Sequence, residues 1–235
     1  MSNARRSDHS FLLQGSILAI AQIVSKIVGL IYRIPLTAII GKRGNDYYGT
    51  AFEVYNIILI ISSFSIPLAV SKLVAARIAK GEARNAKKVL IGSLAFSAVS
   101  GGIAAFIVYF FADFFTGTLL KTPQSVIALK VLAPTLFVVA IVGVLRGFFQ
   151  GLNTTVPSAL SQVAEQIVNA IVSIVAAFAL VGYGVKVGKV LGDEEAYRAA
   201  YGAAGGTLGT LSGAIVALLF MCFVSFRIGK KSPAM

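Results

Sequence analysis

The sequence predicts an all-α membrane protein of six transmembrane helices, and three observations carry that prediction. Of its 235 residues, 57% are hydrophobic and only 13% are charged, against about 25% charged in ordinary soluble domains. Six predominantly apolar runs, roughly 11–40, 48–76, 88–112, 125–150, 156–181 and 200–226, meet the length of about 20 residues that a helix needs to cross a bilayer. None of the runs alternates apolar and polar residues as the strands of a membrane barrel do.

The first run follows the polar tail 1–10, MSNARRSDHS. Charge followed by FLLQGSILAIAQIV imitates a signal peptide, but the apolar stretch continues past any cleavage point and then includes Lys26. A retained first span is expected. The runs 11–40 and 48–76 exceed one bilayer thickness and require tilt or a bend, with Pro35 and Pro67 as bend points and Pro134 as another in the fourth run. GEARNAKK (81–88) is a short basic loop, and GYGVKVGKVLGDEEAY (182–197) is the longest loop on the other side, with room for a short interfacial element. In the last run, YGAAGGTLGTLSG (201–213) lacks the strand and the Gly-Lys-Ser/Thr of a nucleotide-binding loop. Small residues at that density suit close helix packing. Cys222 is the single cysteine and reads as a small packing residue. A basic tail, 227–235, closes the chain.

The net charge of +12 raises the question of nucleic acid. The basic residues, however, fall between the apolar runs with no aromatic-basic platform, so no nucleic-acid partner is expected. With the N-terminus in the cytoplasm, eleven basic residues lie on that side (Arg5, Arg6, five within 77–88, Arg146, Arg227, Lys230 and Lys231) against six opposite. The positive-inside bias thus places both termini in the cytoplasm.

Ionisable groups at membrane depth cost about 2.5–3.5 kcal/mol each on insertion scales unless they face protein, water or the interface. In the first run Gln22, Lys26, Gly29 and Arg33 share one helical face. In the second, Glu53, Asn56, Ser63, Pro67 and Ser71 keep helical spacing with Lys72 beside them. In the fifth, Gln162, Glu165, Gln166, Asn169 and Ser173 do the same. Hydrogen-bonded helix packing explains many single Ser, Asn and Gln residues. Lys72, Arg33 and Lys130 have the reach to snorkel. Lys26, apolar on both sides, favours a water-filled cavity between the first, second and fifth spans. Its lysine and arginine suit a phosphate or pyrophosphate, with Glu53 and Glu165 as resting partners or as sites for a coupling ion. The only histidine, His9, lies in the N-terminal tail. Neither a Ser-His dyad nor a histidine metal site is expected, and no cofactor.

RGFFQGLNTTVPSALSQVAEQI (146–167) resembles the junction of the fourth and fifth spans in the multidrug/oligosaccharidyl-lipid/polysaccharide exporter superfamily, in its branch of stage V sporulation protein B and MurJ-type lipid II flippases. QGSILAIAQIVSKIVGLIYRIPLTAIIG (14–41), YYGTAFEVYNIILI (47–60) and IPLAVSKLVAARIAKGE (66–82) agree with it, in the family's order. The resemblance implies a MATE-like lobe of a flippase that moves polyprenyl-pyrophosphate-linked saccharide, such as lipid II, across the bacterial cytoplasmic membrane by alternating access. Lys26, in SKIVGL, falls on the family's basic cavity position, whereas Arg33 stands one residue from the second such position, occupied here by Tyr32. Family members carry twelve to fourteen spans, so the resemblance implies an N-terminal lobe, completed by a C-terminal lobe or by a second copy. An ion-coupled multidrug extruder of the same superfamily and a non-transporting scaffold of envelope synthesis are the alternatives.

Overall fold

In a computed structural model, residues 2–231 are described, with side chains from 15 to 227. Six α-helices account for most of them: α1 (Ser2–Ser62), α2 (Ile66–Ala79), α3 (Ala83–Phe110), α4 (Val126–Gly151), α5 (Val156–Leu191) and α6 (Glu194–Lys231). A π-helical turn, Phe114–Leu119, and a 3-10 turn, Pro123–Ser125, join α3 to α4. No strand occurs among the described residues.

Sixty-one residues of straight α1 would extend about 90 Å, some three bilayer cores. Gly41 prevents that. Its φ of 72° and ψ of −178° lie where only glycine sits without steric cost, and the chain bends there into two arms, 2–40 and 42–62. The sharpness of the bend shows in Tyr32 and Tyr48, whose hydroxyls are 3.2 Å apart. Sixteen residues of continuous helix would separate their backbones by about 24 Å. The arms correspond to the first expected span and the first half of the second.

The second run is not one helix. It breaks after Ser62, and residues 63–65 form a turn in which the N–H groups of Ser63 and Phe64 both donate to Leu59 O. Pro67 does not kink a continuous helix but stands in the first turn of α2, where its missing N–H costs nothing. There its ring and carbonyl pack against Gly143 and Gly147 of α4. Helix α4 is central: half of its most apolar window is buried, and Leu129, Leu132 and Leu136 are completely buried in a cluster that also takes residues from α1, α3, α5 and α6.

The expected loop 182–197 is mostly helix. Helix α5 continues to Leu191, Gly192 (φ 85°) caps it in the left-handed conformation, and α6 starts at Glu194. Glycine spacing holds this hairpin together. An added Cβ would stand 2.5 Å from Ala177 Cα at Gly205, overlap Ser173 Oγ at Gly209, and stand 2.5 Å from Glu165 O at Gly213. Spaced four apart on α6, these glycines let the two backbones meet along residues 165–177 of α5, the close packing expected of small residues in membrane helices. Cys222, expected to pack inside, is exposed. The segment expected as an N-terminal tail is helical from Ser2. Of the basic tail 227–235, residues 232–235 lie outside the described residues.

Among the described residues, five helical stretches are long and apolar enough to cross a membrane, Gly15–Ala79 counting as one despite its bend. Their outer faces are apolar: Phe96, Ile103, Phe110, Phe178 and Leu219 are all more than half exposed. Exposure on that scale suits lipid, not water. The chain is a multi-pass, all-α membrane protein.

A cationic cleft between α1, α4 and α5

An open cleft of about 250 Å³ is lined by Gln22, Ser25 and Lys26 of α1, Arg146 of α4, and Gln162, Glu165 and Gln166 of α5. Helical periodicity supplies two of the walls: Gln22 and Lys26 are one turn apart, as are Gln162 and Gln166. The floor is an ion pair. Arg146 Nη2 donates to Glu165 Oε2 at 2.7 Å, with the two side chains 15% and 19% exposed. Arg146 Nε also donates to Ser161 Oγ at 2.8 Å, and Ser161 Oγ donates to Ser158 O at 2.7 Å. The guanidinium is thereby fixed in position.

Lys26 has no ion pair or hydrogen bond to any described residue, although it lines the same cleft as Glu165. The cleft therefore holds two cations and one carboxylate, and the carboxylate is engaged. Gln162 Oε1 and Ser25 Oγ are buried at its wall and bond to no other described residue, which is uncommon for buried polar atoms. Unengaged positive charge beside orientable amide and hydroxyl groups is chemistry for an oxyanion.

Of the residues expected from sequence, Gln22, Lys26, Gln162, Glu165 and Gln166 come together here. Asn169 is 6% exposed and lies deeper. Its Nδ2 donates to Tyr32 OH at 3.4 Å, and its Oδ1 accepts from Ser173 Oγ at 3.0 Å. It bonds the first arm of α1 to α5 directly, and reaches the second arm only through the contact of Tyr32 with Tyr48. Arg33 is exposed, with its guanidinium 5.7 Å from the Tyr48 ring centre, and does not line the cleft. Glu53, Asn56 and Lys72 are exposed and also lie outside it, so the second span contributes no wall. Lys130 pairs with Asp113 at 2.9 Å.

Arg146 is the residue that sequence reasoning missed as a site. It reads as a positive-inside loop charge, yet it sits on α4, the most buried helix, facing Glu165 nineteen residues on. The available signal was the four-residue turn at 152–155, which returns the chain so that Arg146, six residues before it, and Glu165, ten residues after it, come within reach of one another through long side chains. No group of three or more His, Cys, Asp or Glu able to hold a metal occurs among the described residues.

Residues 12–232 match the polysaccharide biosynthesis protein family. The chain is 31% identical to stage V sporulation protein B of Bacillus subtilis (strain 168) over 177 residues, covering 75% of this chain and 34% of that protein. It is 31% identical to the lipid II flippase MurJ of the same strain over 181 residues, 73% of this chain and 33% of the relative. The chain thus spans about a third of the length of the curated relatives it matches. Among solved structures, the outward-facing conformation of a multidrug resistance MATE family transporter of the MOP superfamily superposes with a TM-score of 0.76 at 18% identity, covering 92% of this chain and 44% of that one. A MOP superfamily transporter from Pyrococcus furiosus, described as having a binding pocket of reverse polarity, gives a TM-score of 0.71 over 90% and 44%. Together with the helical fold, the family match over nearly the whole chain leads to one conclusion: the chain belongs to the polysaccharide biosynthesis protein family and has a fold shared with transporters of the MOP superfamily.

Proposed function

We propose that the chain is the N-terminal lobe of a flippase that moves polyprenyl-pyrophosphate-linked saccharide across the bacterial cytoplasmic membrane. The observation that carries this reading is Lys26, an unpaired cation in a cleft beside Arg146, in a chain whose relatives include a lipid II flippase. A pyrophosphate carries several oxygens for Lys26 to contact. The amides of Gln22, Gln162 and Gln166 supply donors for the remaining oxygens or for the first sugar. Glu165, bound to Arg146, limits the positive charge when the cleft is empty. Alternating access then requires an opposing surface, a C-terminal lobe or a second copy, against which the cleft opens to one side and then to the other. Both termini lie in the cytoplasm in this reading, in keeping with the basic residues at 77–88 and 227–231.

The multidrug alternative needs a cleft that attracts organic cations. Two cations against one engaged carboxylate disfavour that. Complementation tests the reading. A two-lobe transporter carrying these residues as one lobe restores growth to a strain depleted of its lipid II flippase, and Lys26→Ala removes the rescue while the protein still inserts. Full rescue by Lys26→Ala contradicts the role of the cleft.

A further inference from the structure

The corner between α2 and α3 holds a second cavity, about 390 Å³, lined by Arg77, Asn85, Lys88 and Val89. It shares no lining residue with the Lys26 cleft. The chain reverses there tightly: Glu82 N–H donates to Arg77 O at 2.9 Å, Gly81 N–H to Ile78 O at 2.9 Å, and Gly81 takes a φ of 72°. Beneath the groove, Val89 and Leu90 pack on Val70, Val74 and Val144, which fixes α2 and α3 against α4.

The charges at this corner are unbalanced. Residues 77–88 carry five cations and one carboxylate, Glu82. That carboxylate accepts from Arg77 Nη1 at 2.9 Å and from Asn85 Nδ2 at 3.0 Å, so it orients two donors of the groove and leaves Lys88 alone. Lys88 makes no hydrogen bond or ion pair to a described residue. One helical turn from Arg77, on the same face of α2, Leu73 is 52% exposed. One turn from Lys88, on the same face of α3, Ile91 is 58% exposed. Cations at the end of two membrane helices therefore stand directly above apolar surface on the same helix faces.

We propose that this corner binds an anionic phospholipid, with the headgroup phosphate between Arg77 and Lys88 and the acyl chains along Leu73 and Ile91. A free phosphate would engage the cations and leave the apolar surface unused. A zwitterionic lipid would cover that surface but bring a choline of the wrong sign to Lys88. The site differs from diffuse attraction to a charged leaflet in depending on one lysine and not on its neighbour: Lys87 belongs to the same basic run but does not line the groove.

The test uses the purified 235-residue chain in neutral detergent, with lipid binding measured by native mass spectrometry for phosphatidylglycerol and phosphatidylcholine of identical acyl chains. Phosphatidylglycerol is expected to bind more tightly. Lys88→Ala should weaken it about fivefold, in line with the usual contribution of one basic residue at a membrane surface. Lys88→Arg should restore it, and Lys87→Ala should leave it within about twofold. Phosphatidylcholine binding unchanged by Lys88→Ala reports that the corner stays folded. Equal affinity for the two lipids, an equal loss in Lys87→Ala, or displacement of phosphatidylglycerol by inorganic phosphate would each overturn the proposal.

Discussion

Arg146 and Glu165 lie nineteen residues apart in sequence and meet at 2.7 Å across the α4–α5 hairpin, both less than one-fifth exposed. Removing one partner of a well-buried pair strands the other charge, at a cost of about 3–5 kcal/mol. This pair borders an open cleft, so Glu165→Ala is expected to destabilise the lobe by a smaller amount, about 1–3 kcal/mol. Replacing both residues with leucine should cost less than either single replacement, because no charge is then left unpaired. Thermal unfolding of the three variants in micelles checks the order.

The α5–α6 hairpin depends on backbone contact at Gly209, where an added Cβ would overlap Ser173 Oγ and approach Asn169 O to 2.5 Å. Gly209→Leu is therefore expected to abolish the folded state, read as loss of a monodisperse peak in size-exclusion chromatography. Gly182 has nothing within 4 Å of an added Cβ. Its replacement by alanine within helix α5 should raise stability by up to about 1 kcal/mol.

Tyr48 OH bonds to Tyr32 OH, and Tyr32 OH accepts from Asn169, so the hydroxyls tie the two arms of α1 to α5. Tyr48→Phe removes one bond and keeps the ring, for a loss of about 1 kcal/mol. Asn169→Leu breaks the bonds to Tyr32 and Ser173 together and should cost more. Protection of α1 amides in hydrogen exchange, lowered in the same order, checks this.

At the α2–α3 corner, the hydrogen bond from Asn85 and then that from Arg77 hold the Glu82 carboxyl below the usual carboxylate range. A depressed folded-state pKa means that the contribution of Glu82 is present above its unfolded value and is lost as pH falls through the folded one. Asn85→Ala should move the titration upward toward an ordinary glutamate, as followed by NMR of the labelled carboxyl carbon.

The legible parts of this protein are those set by length and period. Six apolar runs announce membrane helices because a bilayer demands a fixed length. The polar faces of α1 and α5 are visible because a helix repeats every 3.6 residues. The interruption after residue 40 was legible, because Gly41 ends an apolar run and opens the polar stretch GKRGND; that helix resumes at once at residue 42 was not. Nor was the helical continuation of α5 through 182–191, whose glycines and lysines look like a loop. The second-span face made by Glu53 and Asn56 keeps perfect spacing, yet periodicity does not say which neighbour a face meets. Arg146 shows the same limit: its partner is set by the return of a hairpin, a tertiary relationship that one helix's pattern does not contain.

The central claim is that Lys26 makes the cleft an anion site, and the most direct measurement is the affinity of the purified chain for a polyprenyl pyrophosphate, with and without Lys26→Ala. A lost charge-assisted contact is worth about 1.5–3 kcal/mol, so the variant is expected to bind at least about tenfold more weakly, while Lys72→Ala, outside the cleft, binds as the parent does. Unchanged affinity in Lys26→Ala, or a preference of the parent chain for a lipophilic organic cation, would contradict the account.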